Sequence, residues 1–158
     1  MPCINKEAFR QKRTKGERAV SKVLDSMGVY YLYDMHVSDL TGVLGGPLKF
    51  DFCIPLDQNS FSVRDFLRGD SKEYVVLEYN GIFHYHVICG CTNLETLHKQ
   101  QMNDFVKHSF CRANGVEVLW LPYWEGAIDL DHAVRSFVRN RLLSKGSDES
   151  SSSETTAS

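Results

Sequence analysis

The chain has 158 residues, 42% hydrophobic and 11% aromatic, which is enough to bury the core of one domain and short for two. A formal net charge of -2 excludes a globally basic polyanion binder, so any nucleic-acid contact has to come from a local patch. Five cysteines without framework spacing and no secretory signal read as a reducing intracellular compartment, cytoplasm or nucleus. No apolar run approaches the roughly 18 residues of a bilayer span, so a soluble chain without a membrane partner is expected.

Residues 1–13 form a basic segment, and Lys12, Arg13, Lys15 and Arg18 make a local patch suited to phosphate contact beside a helix start. Thr14-Lys15-Gly16-Glu17 matches a capping box, which predicts a helix with Ala19, Val20, Val23, Leu24 and Met27 as its apolar stripe and Gly28 as its stop. Val29–Tyr33 is β-branched and aromatic and predicts an extended segment, while His36–Leu40 reads as irregular. Leu48–Ile54 alternates with period two, placing Leu48, Phe50, Phe52 and Ile54 on one face and Lys49, Asp51 and Cys53 on the other. Residues 56–72 read as a connector with a short helical turn near Val63–Leu67.

An apolar strand over Tyr74–Leu77 leads to Glu78, Asn80 and Gly81, then His84 and His86. Leu94–Asn114 reads as a long helix stopped by Asn114-Gly115, Val116–Leu121 as a strand ended by Pro122, and Asp129–Leu143 as a final amphipathic helix. Residues 144–158 are serine-rich and acidic and are expected to be a disordered tail. Trp120 and Trp124 read as core packing rather than as surfaces for bases.

Three carboxylates stand out: Glu17 on the first helix, Asp51 inside one strand and Glu78 at the end of another. Carboxylates at strand ends suit magnesium or manganese, which take one or two such ligands plus water and phosphate oxygens. Each also has a plainer reading, Glu17 as the capping partner of Thr14, Asp51 as half of a buried ion pair, Glu78 as a solvated strand end. The spacing of Cys89 and Cys91 fits zinc poorly, and a structural zinc is not expected.

The order of GE on a capped helix, LKFDF, VLEYNGIFHYH and DFVKHSFCRANGVEVLWLPYWE resembles the PD-(D/E)XK nuclease superfamily. In particular it resembles a small single-domain branch of large DNA viruses and phages, similar to very-short-patch repair (Vsr-like) and EDxHD homing endonucleases. The resemblance covers Thr14 to Glu125 and implies an α/β, restriction-endonuclease-like core over residues 14–143, a central mixed β-sheet flanked by α-helices. It implies metal-dependent hydrolysis of DNA phosphodiester bonds, in a host cell if the protein is viral. RNA stays open as substrate, as does a homodimer. Asp51 and Glu78 would be metal ligands, with the backbone carbonyl of Tyr79 a third oxygen and Glu17 completing the acidic cluster.

The superfamily's lysine two positions after the strand carboxylate is Asn80 in this chain, and an amide cannot stabilise developing charge as an ammonium does. His84, at the position of a histidine in the repair-endonuclease-like branch, is the first choice to replace it as general base or transition-state stabiliser. Lys107 is the competing choice, and Asp104 either orients His84 or pairs with Lys107. The alternative reading is a nuclease-fold binding or structural protein without turnover.

Overall fold

The computed structural model describes residues 13–70 and 73–148; Lys12 and the serine-rich residues 149–158 lie outside the described residues. The first helix, α1 (Lys15–Ser26), begins where the capping box places it: Glu17 N–H donates to Thr14 Oγ1 at 3.2 Å and Thr14 N–H donates to Glu17 Oε2 at 3.0 Å. Val20, Val23 and Leu24 are buried along its inner face, and Gly28, at a φ of 66°, turns the chain out. Strand β1 (Leu32–Thr41) runs straight through the stretch expected to be irregular. The irregularity is absorbed inside the strand by left-handed backbone at Asp34 and Asp39 and by a register shift between His36 and Thr41, as in a β-bulge.

β1 pairs antiparallel with β2 (Pro47–Pro55), and β2 pairs antiparallel with β3 (Tyr74–Asn80). The connector holds a short helix, α2 (Val63–Arg68), capped by Ser62 and ended by Gly69 in the left-handed region. A 3-10 turn (Ile82–His84) and α3 (Leu94–Ala113) carry the chain over to β4 (Val118–Pro122), which lies parallel to β3 with Leu77 opposite Leu119. The last helix, α4 (Ala127–Asp148), starts before Asp129 and continues beyond Leu143 into the segment expected to be a tail. Among the described residues no helix is long and apolar enough to cross a membrane.

The result is an α/β fold with a four-stranded mixed sheet in the order β1-β2-β3-β4 and helices on both faces. On one face, Phe52, Ile54, Val75, Leu77 and Leu121 pack with Val20 and Leu24 of α1 and with Leu130, Val134 and Val138 of α4. On the other, Phe50, Cys53, Tyr74 and Val76 pack with Phe66 of α2 and Cys111 of α3. A strand covered on both sides reads as continuous burial, and β3 is buried from Tyr74 through Glu78.

The face assignment in β2 departs from the predicted alternation. Phe52 and Ile54 enter the core under α1 and α4, whereas Phe50 enters the opposite core with Cys53. The side-chain period therefore slips by one at Asp51. Across from it, between the Tyr33–Phe52 and Met35–Phe50 pairs, stands Asp34 with its positive φ of 55°. A period-two strand keeps its faces only while both partners stay extended, and the left-handed residue twists the ribbon at this point.

Candidate functional site

Beyond the Phe52–Leu77 pair the β2–β3 ladder continues through side chains. Asp51 N–H donates to Glu78 Oε1 at 3.0 Å, and Tyr79 N–H donates to Asp51 Oδ2 at 2.8 Å. Two carboxylates thus take up amides that backbone carbonyls serve elsewhere in a ladder, which brings Asp51 and Glu78 side by side where the strands part.

Glu78 is 1% exposed and Lys107, on α3, is 8% exposed. They meet in a buried ion pair, Lys107 Nζ to Glu78 Oε2 at 2.7 Å. Burial pushes the Glu78 carboxyl up, against the charge of Lys107, which pulls it down. Burial opposes the ammonium of Lys107, yet Glu78 and Asp51 outweigh that cost and hold its pKa above the usual range. Asp51 is pushed up to about 8, first by burial and then by the charge of Glu78. One ammonium therefore serves two buried carboxylates, and the pair is one positive charge short of balance when both are ionised.

That shortage is where a hard divalent cation fits. Asp51 Oδ1 takes no hydrogen bond among the described residues, and each Glu78 oxygen keeps a second lone pair. The nearby thiol of Cys111 is pushed up to about 12 by burial and then by the charge of Glu78, so it offers no soft ligand. Among the described residues no three His, Cys, Asp or Glu side chains gather as a metal-holding group. Two carboxylates suffice for magnesium, which fills its other positions with water and substrate oxygens. Tyr79, whose carbonyl was expected as a third oxygen, is tied to the pair through its N–H and lies opposite Leu121 of β4.

Glu17 stands at the edge of this pair, contributing to the rise at Asp51 through its charge. Its Oε2 accepts both the Thr14 N–H and the Tyr33 hydroxyl, the latter at 2.6 Å. The capping reading of Glu17 therefore holds, and the same carboxylate also anchors Tyr33. Tyr33 was not read as a site residue, and no spacing in the sequence announces it. Burial and the bond to Glu17 both push its phenol up, so it stays a donor. Gly16 lets the helix start approach: a Cβ there would lie 2.0 Å from Tyr79 Cζ.

Of the expected basic patch, Arg13 turns inward. Arg13 is buried, its guanidinium 4.0 Å from the centroid of the Tyr33 ring and its Nη1 donating to Tyr31 Oη at 3.3 Å. A guanidinium spent on rings inside the fold is not presented to a phosphate. Lys15 and Arg18 are exposed on the first turn of α1, and Arg18 also donates to the Arg13 carbonyl at 2.7 Å.

His84 and Lys107 occupy different places. His84 Nδ1 lies 2.8 Å from Asp104 Oδ2, and Gln100 Nε2 reaches Asp104 Oδ1 at 3.4 Å. Asp104 therefore orients His84 rather than pairing with Lys107, which the acid pair holds. Asn80 is 7% exposed and its Oδ1 has no hydrogen-bond partner among the described residues. Trp124 departs from its reading as core: it is 60% exposed and packs with Tyr85 and Tyr123, ring centroids 4.7 and 5.2 Å away. Its place just after the strand-ending Pro122 was the available signal. Cys89 and Cys91 are exposed free thiols. Comparison with family models, with curated proteins and with solved structures finds no match.

Proposed function

We propose that this chain is a divalent-metal-dependent endonuclease with a restriction-endonuclease-like core, hydrolysing phosphodiester bonds in DNA. The observation that carries this reading is the buried Asp51–Glu78 pair at parting strand ends, served by a single ammonium. Asp51 and Glu78 would hold magnesium or manganese, with Glu17 beside them. When bound, the ion supplies Lewis-acid polarisation of the phosphodiester. Lys107 fixes the rotamer of Glu78 and contributes positive charge where negative charge develops on the phosphoryl oxygens. With Nδ1–H donated to Asp104, His84 would present Nε2 to accept a proton from the attacking water. Lys107 and His84 thus divide the work expected of one lysine, and Asn80 stays uncharged beside them. Exposed Lys15 and Arg18 supply phosphate contacts at the helix start.

A second reading, a nuclease-fold protein that binds nucleic acid without cutting it, is favoured by the amide at Asn80 and by the hydrogen bonds already made to both Glu78 oxygens. Supercoiled plasmid in magnesium or manganese separates the two. The enzyme nicks it, and Asp51→Asn lowers the rate by at least about 100-fold, the scale of losing one transition-state electrostatic partner, while retaining a native circular dichroism spectrum. Equal nicking by the folded variant rejects the site. DNA retardation in chelator with no nicks at any metal concentration selects the second reading.

A further inference from the structure

A cavity of about 290 Å³ opens where β3 ends at Asn80, two residues after Glu78, lined by Asn80, His84, Tyr85, Asp104, Phe105 and Trp120, among others. Three of these walls are aromatic. Asn80 is part of its lining and more than nine-tenths buried, with Oδ1 lacking any partner among the described residues. A buried amide without a partner costs stability that nothing inside the fold returns, so its hydrogen bond is available to a ligand. Asp104 is already engaged by His84 and Gln100, whereas the Asn80 carbonyl oxygen on the same lining is buried and has no partner among the described residues. The volume lies at the lower limit of small-molecule sites and suits a single planar heterocycle rather than a longer ligand.

Position narrows the ligand further. Asn80 follows Glu78 by two residues on the same face of β3, about 7 Å along the strand. A phosphate held at Asp51 and Glu78 therefore has its own nucleotide's base, or the next one, within reach of the cavity. We propose that the cavity receives one unpaired nucleobase of the DNA strand whose phosphate lies at Asp51 and Glu78, stacked on the aromatic walls with its edge hydrogen-bonded to Asn80. Rotation of the amide presents either its carbonyl or its amino group, so the site takes a base edge of either polarity. The phosphate's place rests on the nuclease reading; the base site rests on the cavity itself. The substrate class is DNA with an extrahelical or single-stranded base next to the scissile bond.

The test is binding in chelator, where no cutting occurs. Three labelled duplexes are titrated with the full chain: fully paired, with one extrahelical adenine, and with an abasic linker in place of that adenine. The extrahelical base is expected to bind about tenfold tighter than both others, within the range for stacking one base. Asn80→Leu should reduce that preference to about twofold or less, and Phe105→Ala should reduce it severalfold. Phe105, exposed on α3, decides the matter if Asn80→Leu fails to fold. Equal binding of the abasic and adenine duplexes, no binding to any of them, or an unchanged preference in folded variants overturns the proposal. Asp51-dependent nicking of plasmid is scored separately, so a cutting enzyme without base preference, and a base binder that never cuts, give different results.

Discussion

Lys107→Met leaves Glu78 as a buried carboxylate with no countercharge, and an orphaned half of a buried pair typically costs about 3–5 kcal/mol. Urea denaturation should show a loss of that size. The double variant Lys107→Met/Glu78→Gln should lose less than the single one, because its amide needs no countercharge. Asp51 supplies a pH signature of the metal-free protein. Its folded pKa of about 8 lies above the ordinary carboxyl value near 4, so the protonated form favours the fold. That contribution is whole below about pH 4 and is lost as pH rises through about 8. Thermal melts in chelator should therefore show Tm falling across that window, with a shallower fall in Asp51→Asn and the remainder belonging to Glu78, whose carboxyl is raised in the same direction.

At the level of elements, the site depends on how closely α1 meets β3. Gly16 is the contact: an added methyl would sit 2.0 Å from Tyr79 Cζ, so either the helix start or the ring has to move. Gly16→Ala should cost about 1–3 kcal/mol, the range for overpacking. Gly16→Ala/Tyr79→Leu should recover part of it, since the shorter side chain vacates the ring's volume; an equal loss in both would place the strain elsewhere. The capping box sits on the same turn, so displacement of the helix start also disturbs Glu17 and its bond from Tyr33. The slip in β2 works at this scale as well. Asp34 stands opposite Asp51 in the ladder, so the left-handed residue and the slip fall on one rung, next to the acid pair.

For the whole molecule, a cation bound at the acid pair stabilises the fold by mass action, about 2.7 kcal/mol at one hundred times Kd. For a chain of this length that is a rise in Tm of roughly 5–10 °C. Manganese titration by thermal melt should reach it in wild type above pH 8 and fail to do so in Asp51→Asn, whereas equal shifts in both would place the ion elsewhere. How far such a site could be foreseen depends on the range of the interactions that make it. The capping box, the extended strand over Leu48–Ile54 and the stop at Asn114-Gly115 were legible because caps, periods and turn residues act over three or four positions. An aspartate among apolar neighbours and a glutamate at a strand end were legible for the same reason, as local violations of pattern. What only the tertiary structure decided is where those groups meet: the pairing that sets Asp51 beside Glu78, Lys107 arriving from a helix 29 residues later, Tyr33 on Glu17, Asp104 on His84, Arg13 buried and Trp124 exposed. Each is set by strand register and helix docking between segments far apart in the chain, and a change of one residue in register moves a side chain to the opposite face without altering any local pattern.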